Sequence, residues 1–460
     1  MRDRGHAMGR TMTGATWPLG AYAAGDEVRY LTLEPDGPAV AARAQAGDAP
    51  LPARSVALPA LAWDEREMAQ ERGVSFADLP DPRPLFGYEG APPPSRGADG
   101  IGLTHFVVGP VHAGIIEPGR FSFSSGGETV VSLDTQLGYA HRGIERFLEG
   151  RSALAAAPHV ARICGSCSAA RSHAYALALE RHAGVVVPGR VALARLVVCE
   201  LERFWNHVGD LAMSAGAAGW APGSIRGLSL KEAAVRLCAL ATGHRLGFDA
   251  IVPGGVSPAT LSDRPAQRAA LERFASDLEG YLRALFGNAS VLSRWRHTGV
   301  VTHEVARAFA LVGPTRRAVG DPLDVRSFAP YGAYRDVAVA PIVAHGGDVF
   351  ARCAVKRDEL RASLALVRDA LTALDGVDLV PAPSEIALPR GTTMASVEGP
   401  RGAETAIVHV DGDGRIARFH LISASFRTWP ALAHAMGDAI APDFPLVNKS
   451  FNLCYACADR

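Results

Sequence analysis

The chain has 460 residues, with 47 Lys and Arg against 47 Asp and Glu, 48% hydrophobic and 20% charged residues, and seven cysteines. A chain of this composition buries a large core and is not disordered, and its length predicts one large domain or two to three smaller ones. Balanced, interspersed charge excludes the electrostatic footprint of a nucleic-acid binder and a polybasic membrane patch; with no apolar run of membrane-spanning length and no secretory segment after Met1, a cytoplasmic chain is expected.

In chain order, residues 1–100 are rich in Gly, Pro and Ala and close on a linker-like stretch, Gly87 to Gly100, which places a boundary near Gly100. Two β-like runs follow, Thr104 to Val108 and Thr129 to Leu133, flanking a Gly- and Pro-rich loop from Gly109 to Gly119, a pattern that reads as a hairpin leading into residues 101–460. From Leu137 the pattern turns helical. Leu193, Leu196, Val197, Leu201, Phe204, Val208 and Leu211 recur with the spacing of one buried helix face, predicting a core helix over Val191 to Leu211. Further helices are predicted over Ser229 to Ala241, Arg264 to Leu285 and Val349 to Leu374. Strand alternation returns in Thr405 to Ile422, where Asp411-Gly412 and Asp413-Gly414 offer a tight turn for a hairpin. The fold class is therefore α+β and predominantly helical, with small β-hairpins or sheets before the helical core and near the C-terminus.

Four cysteines form two C-x-x-C pairs, Cys164/Cys167 and Cys454/Cys457, separated by nearly the whole main domain. One pair supplies half of a tetrathiolate site, and two pairs joined by folding complete it. Soft thiolates suit zinc, nickel and iron-sulfur chemistry. A structural zinc site usually draws its ligands from local knuckles, which this separation does not offer. Cys199, Cys238 and Cys353 lie in helical stretches and read as packed thiols.

The surroundings of these pairs carry a resemblance. Arg162-Ile163-Cys164-Gly165-Ser166-Cys167, the terminal Cys454-Tyr455-Ala456-Cys457, the R-G-x-E element in His141 to Glu145 and the P-R-G element in Val397 to Gly402 resemble the large subunit of nickel-iron hydrogenases. Gly109 to Gly119, Glu200 to Asp210, Pro253 to Val256 and Asp443 to Leu453 resemble its membrane-associated branch, the formate hydrogenlyase and energy-converting enzymes, which is related to the quinone-site subunit of respiratory complex I. The similarity spans about residues 101–460. Pro59 to Phe86 resembles the tail of the complex I subunit that partners the quinone-site subunit, so residues 1–100 read as a shortened form of that partner.

The resemblance implies a catalytic large subunit that interconverts hydrogen with protons and electrons. It implies a nickel-iron centre, its iron carrying carbon monoxide and cyanide, with Cys164 and Cys454 as terminal nickel ligands and Cys167 and Cys457 as bridges. Glu145 is the expected proton relay and Arg401 the arginine over the open coordination position. His112 and Glu117 lie on a loop that reaches toward the site in the family. Arg171 stands where the family usually has histidine, one helical turn after Cys167, and is placed to donate to a bridging thiolate; His173, two residues on, faces another direction. Expected partners are an iron-sulfur small subunit carrying a 4Fe-4S cluster, membrane-arm subunits of a complex I-like assembly, and formate dehydrogenase or another electron donor, which together would hold the chain on the inner face of the cell membrane. The alternative is a non-catalytic or quinone-linked complex I type scaffold subunit, which the loss of the family histidine at Arg171 favours.

Overall fold

A computed structural model describes residues 16–88, 92–112, 116–383 and 385–460. Residues 89–91 of the expected linker and 113–115 of the expected loop lie outside the described residues.

The first element is one the Gly- and Pro-rich composition hid: an antiparallel meander of β1 (Trp17–Ala24), β2 (Glu27–Glu34) and β3 (Gly37–Gln45). Its first turn, Gly25-Asp26, joins the paired residues Ala24 and Glu27, and Gly25 has the positive φ of 62° that such two-residue turns require. Alternation then gives the sheet two apolar faces. Ala21, Ala23, Val28 and Tyr30 pack with Leu61 and Met68, the latter on α1 (Ala62–Arg72). Tyr22, Leu31 and Leu33 join the main core. Arg427–Asp64, Arg460–Glu67 and Arg72–Glu149 pairs tie α1 to the rest of the chain.

Next comes a second sheet, β4 (Leu103–Val108), β5 (Arg120–Gly126) and β6 (Thr129–Gln136), in that order. The two runs read from sequence are strands, but they do not pair with one another. β5 lies between them, its Phe121 and Phe123 buried against Trp429 and Phe444.

After a short helix, α2 (Ile144–Leu148), the helical core begins with α3 (Ser168–Ala183) and centres on α4 (Gly189–Ala217), a helix of 29 residues, longer than its apolar stripe predicts. Packed against α4 are α5 (Ala221–Thr242) and α7 (Val349–Ala373), while α6 (Arg264–Phe286) packs on α5. Asp263 and Asp348 cap α6 and α7 by accepting from Ala266 N and Ala351 N at 3.1 and 2.8 Å, which explains where these helices start. Because α4 is enclosed on nearly all sides, its polar residues are buried as well as its apolar stripe.

A third sheet closes the fold: β7 (Gly391–Gly399), β8 (Gly402–Val410) and β9 (Ile416–Ile422). The β8–β9 hairpin is the one read from sequence, and Asp411 Oδ1 accepts from Asp413 N and Arg415 N within its turn. Pro400-Arg401 forms the two-residue turn between the paired Gly399 and Gly402. Gly402 has φ 127°, and a Cβ there would lie 2.6 Å from Gly313 N, so only glycine allows this approach. The chain ends in α8 (Phe444–Phe451) and α9 (Tyr455–Asp459). No helix among the described residues is long and apolar enough to cross a membrane.

Candidate metal centre

The two C-x-x-C pairs meet. Cys164 to Cys167 forms a short turn ahead of α3, and the Cys164 sulfur accepts from Ser166 N at 3.2 Å. The second pair is clamped from residues 423–429: Ser425 Oγ accepts from Cys454 N, Trp429 donates to Cys454 O, and Ser423 Oγ donates to Cys457 O. The resulting sulfur separations are 3.0 Å for Cys164–Cys454 and 3.9 Å for Cys167–Cys457, and Cys164, Cys167 and Cys457 lie mutually within 4.8 Å. A tetrahedral ion with metal–sulfur bonds of about 2.3 Å needs sulfur–sulfur edges of about 3.8 Å, which the 3.9 Å pair matches. Hydrogen bonds from Cys167, Cys454 and Cys457 hold the Cys164 thiol well below its ordinary pKa, while the other three are raised.

Two guanidiniums face the sulfurs. Arg401 reaches from the β7–β8 turn to place Nη1 3.6 Å from Cys167 Sγ; the same nitrogen donates to Asn206 Oδ1 at 2.8 Å and Nε donates to Asn452 O at 2.5 Å. Asn452 adopts a left-handed backbone, φ 48°, which turns its carbonyl to this use, and its amide donates to Asp210, itself paired with Lys356 at 2.6 Å. Burial would lower the Arg401 pKa, but the charges of Cys167 and Asp210 raise it, so the side chain stays cationic.

Arg171, on α3 one turn past Cys167, donates from Nε to Glu404 at 3.1 Å. Its Nη1 and Nη2 are buried with no partner, although the side chain is fully enclosed. Burial opposes its charge, and the charges of Cys457, Glu404, Cys167 and Cys164 support it. Unpaired buried donors are costly, so these, on a guanidinium close enough to feel the charges of Cys457, Cys167 and Cys164, mark a place for acceptors. Both the sulfur donor set and these orphaned donors fit an anionic, thiolate-held metal group. His173 instead faces Cys199, at 3.5 Å, and Tyr331.

The carboxylate beside the sulfurs is Glu117. Its Oε2 accepts from Ala456 N, between Cys454 and Cys457, at 2.7 Å. Burial raises its pKa, and the negative charge of Cys164 adds to this. Glu145 is not brought there. Gly143, at φ 61°, turns the chain into α2, which packs on β9, so the Glu145 carboxylate accepts from Leu421 N at 2.9 Å and pairs with His420, Arg460 and Arg418 at 3.0, 3.0 and 3.3 Å. Glu145, the expected proton relay, is therefore not brought to the thiols. His112 also turns away, donating from Nε2 to Gly119 O at 2.8 Å and so closing its own loop.

A cavity of about 360 Å³ opens beside the sulfurs, lined by Glu117, Trp205, Asn206, Lys231, Arg401 and Cys454 among others. Sequence reasoning missed Asn206 and Asp210. Their signal was present: they sit at i and i+4 on α4, polar residues within the buried helix. It also missed Glu202, which accepts from Ala169 N and Ala170 N at the start of α3 and whose pKa burial pushes up to about 8. Cys199, Cys238 and Cys353 are buried thiols outside the cluster, each with its pKa raised by burial.

A helical core with four clustered thiols, an arginine on a P-R-G turn and a carboxylate beside them defines a hydrogenase-like redox subunit. The chain belongs to the family of the 49 kDa subunit of respiratory-chain NADH dehydrogenase, which it matches over residues 219–384 and 377–460. It is 26% identical to formate hydrogenlyase subunit 5 of Escherichia coli (strain K12), covering 88% of this chain and 76% of that one. With the carbon monoxide-induced hydrogenase of Rhodospirillum rubrum the identity is 30% over 77% of this chain and 98% of that one. Among solved structures, the archaeal membrane-bound sulfane sulfur reductase superposes with a TM-score of 0.71 at 25% identity, covering 78% of this chain and 98% of the matched one.

Proposed function

We propose that this chain is the catalytic large subunit of a formate-hydrogenlyase-like nickel-iron hydrogenase, peripheral on a membrane through its partner subunits. The observation that carries the reading is the convergence of four thiols with the unpartnered guanidinium edge of Arg171 and the Glu117 carboxylate. Cys164, Cys167, Cys454 and Cys457 would hold a nickel-iron group, which supplies a Lewis-acidic, redox-active centre for heterolytic cleavage or formation of hydrogen.

The chain's own residues supply the rest. Glu117 exchanges the proton at its carboxylate, whose pKa partial burial and the negative charge of Cys164 raise. Ala456 N orients it, and its outer side is exposed, so the proton leaves to solvent. Arg401, fixed by Asn206 and Asn452, keeps an N–H on the Cys167 sulfur and a positive charge over the cluster. No second cysteine cluster exists among the described residues, so electrons pass to an iron-sulfur partner subunit carrying a 4Fe-4S cluster. Membrane-arm subunits and an electron donor such as formate dehydrogenase complete the proposed assembly. A second reading, a quinone-linked or scaffold subunit, draws on the family match, on Arg171, and on a cavity larger than dihydrogen requires.

Metal analysis of the complex purified from its own host separates the two. Nickel with iron, absent from Cys457→Ala, supports the hydrogenase; zinc alone or no metal supports the scaffold. Glu117→Gln should keep the metal and lose about 10²- to 10⁴-fold of hydrogen-dependent dye reduction.

A further inference from the structure

Behind the turn that carries Arg401 lies a second buried assembly of charge. Its carboxylates are Glu200, Asp324, Glu359 and Glu398 and its guanidiniums Arg203, Arg317 and Arg326, none more than 4% exposed. Arg317 touches Glu359, Glu398 and Asp324 at 2.6, 2.8 and 3.6 Å. Arg326 joins Asp324 to Glu200, at 2.7 and 3.0 Å, and Arg203 joins Glu200 to Glu359, at 3.0 and 3.5 Å.

The charges do not balance. His207 donates from Nε2 to Glu359 at 2.7 Å, and its Nδ1 has no partner, the arrangement of a neutral imidazole. Tyr334 donates to Glu200, Tyr331 accepts from Glu398 N, and burial keeps both phenols protonated. The Cys199 thiol nearby is likewise held neutral by burial, and the adjacent Asp210–Lys356 pair cancels itself. Among the described residues, four carboxylates therefore face three guanidiniums. An uncompensated buried charge is costly, and binding a proton relieves it.

The assembly also touches the front of the site. Arg203 donates to Glu398 O at 3.0 Å and to Gly399 O at 3.2 Å, the backbone just before Pro400-Arg401. His207 follows Asn206, which holds the Arg401 guanidinium. We propose that this assembly binds one exchangeable proton, held by Glu398 beside the ionised Asp324, and takes it up when negative charge accumulates at the sulfurs on the other side of the turn. Burial and the neighbouring Asp324 push the Glu398 carboxyl up to about 6, against the charges of Arg317, Arg326 and Arg203.

The test is infrared titration, in heavy water, of the complex from its own host, between about pH 5 and pH 8, where exposed carboxylates stay largely ionised. The wild-type protein should gain a carboxylic-acid C=O band as pH falls through about 6. Glu398→Gln or Asp324→Asn should remove it, and reduction with dithionite should move its midpoint upward. A wild-type spectrum without the band overturns the proposal, as does a band whose midpoint is the same in both variants or before and after reduction. A purely structural ion network lowers stability in the variants but gives no titrating band. Should one variant fail to fold, the wild-type titration and the other variant still decide.

Discussion

Among the described residues, two buried clusters bring together three side chains of metal-ligating type: Cys164, Cys167 and Cys457 in one, Glu67, Glu145 and His420 in the other. Both draw the last residues of the chain against segments far away in sequence. They differ in what remains unsatisfied. In the carboxylate cluster a cation is already in place, because Arg460 contacts Glu67 at 2.5 Å and Glu145 at 3.0 Å, with Arg418 and His420 completing the shell. Burial would raise the Glu145 pKa, but the charges of His420 and Arg460 hold it well below the carboxylate range. In the thiol cluster the sulfurs have one another, and the guanidinium beside them has donors left over. Convergence of ligand atoms alone does not distinguish the two clusters; the unbalanced remainder around the thiols does.

The comparison breaks most visibly at Arg460. Arg460→Ala leaves the buried Glu67 without its guanidinium and Glu145 with only Arg418 and His420, and should lower unfolding free energy by about 3–5 kcal/mol in denaturant titration. Because the vacated space then resembles an oxygen- and nitrogen-lined cation site, added manganese should restore part of the loss in the variant and none in the wild type. At the thiol cluster, Arg171→Met removes the unpartnered donors, and metal retention against a chelator should weaken by about 10- to 100-fold. Unchanged retention would show that the leftover donors do not face the metal.

The smallest effect lies at the rim of the carboxylate cluster. His409 bonds the Tyr22 hydroxyl at 3.1 Å, and Tyr22 stacks on His420. Burial lowers the His409 pKa to about 4, so the unfolded chain binds more protons than the folded one between that value and its ordinary pKa of about 6.5. Stability is thus complete above about pH 6.5 and falls as pH drops toward about 4, by about 1–2 kcal/mol after allowance for partial exposure. His409→Gln should flatten that slope in unfolding measurements across the same pH range.

Local pattern made much of this molecule legible. The stripe from Leu193 to Leu211 predicted α4, and turn residues predicted the β8–β9 hairpin. The β1–β3 meander escaped because Gly, Pro and Ala obscure a strand pattern whose apolar faces are defined by α1 and the main core. β5 escaped because its Phe and Ser alternation stood beside a loop that was read as joining β4 directly to β6.

By itself the sequence determined the chemical inventory of the site: two thiol pairs, an arginine held on a tight turn, and a second arginine in the place of a histidine. The fold decided which carboxylate those thiols meet. Glu117 and Glu145 both stand in recognisable motifs, but only Glu117 reaches the backbone between Cys454 and Cys457, a contact spanning 339 positions, while Glu145 is turned by Gly143 into the grip of Arg460. Helix and strand periods report which face a neighbouring residue shares; the meeting of groups this far apart is set by how whole sheets and helices pack, and no local period records it.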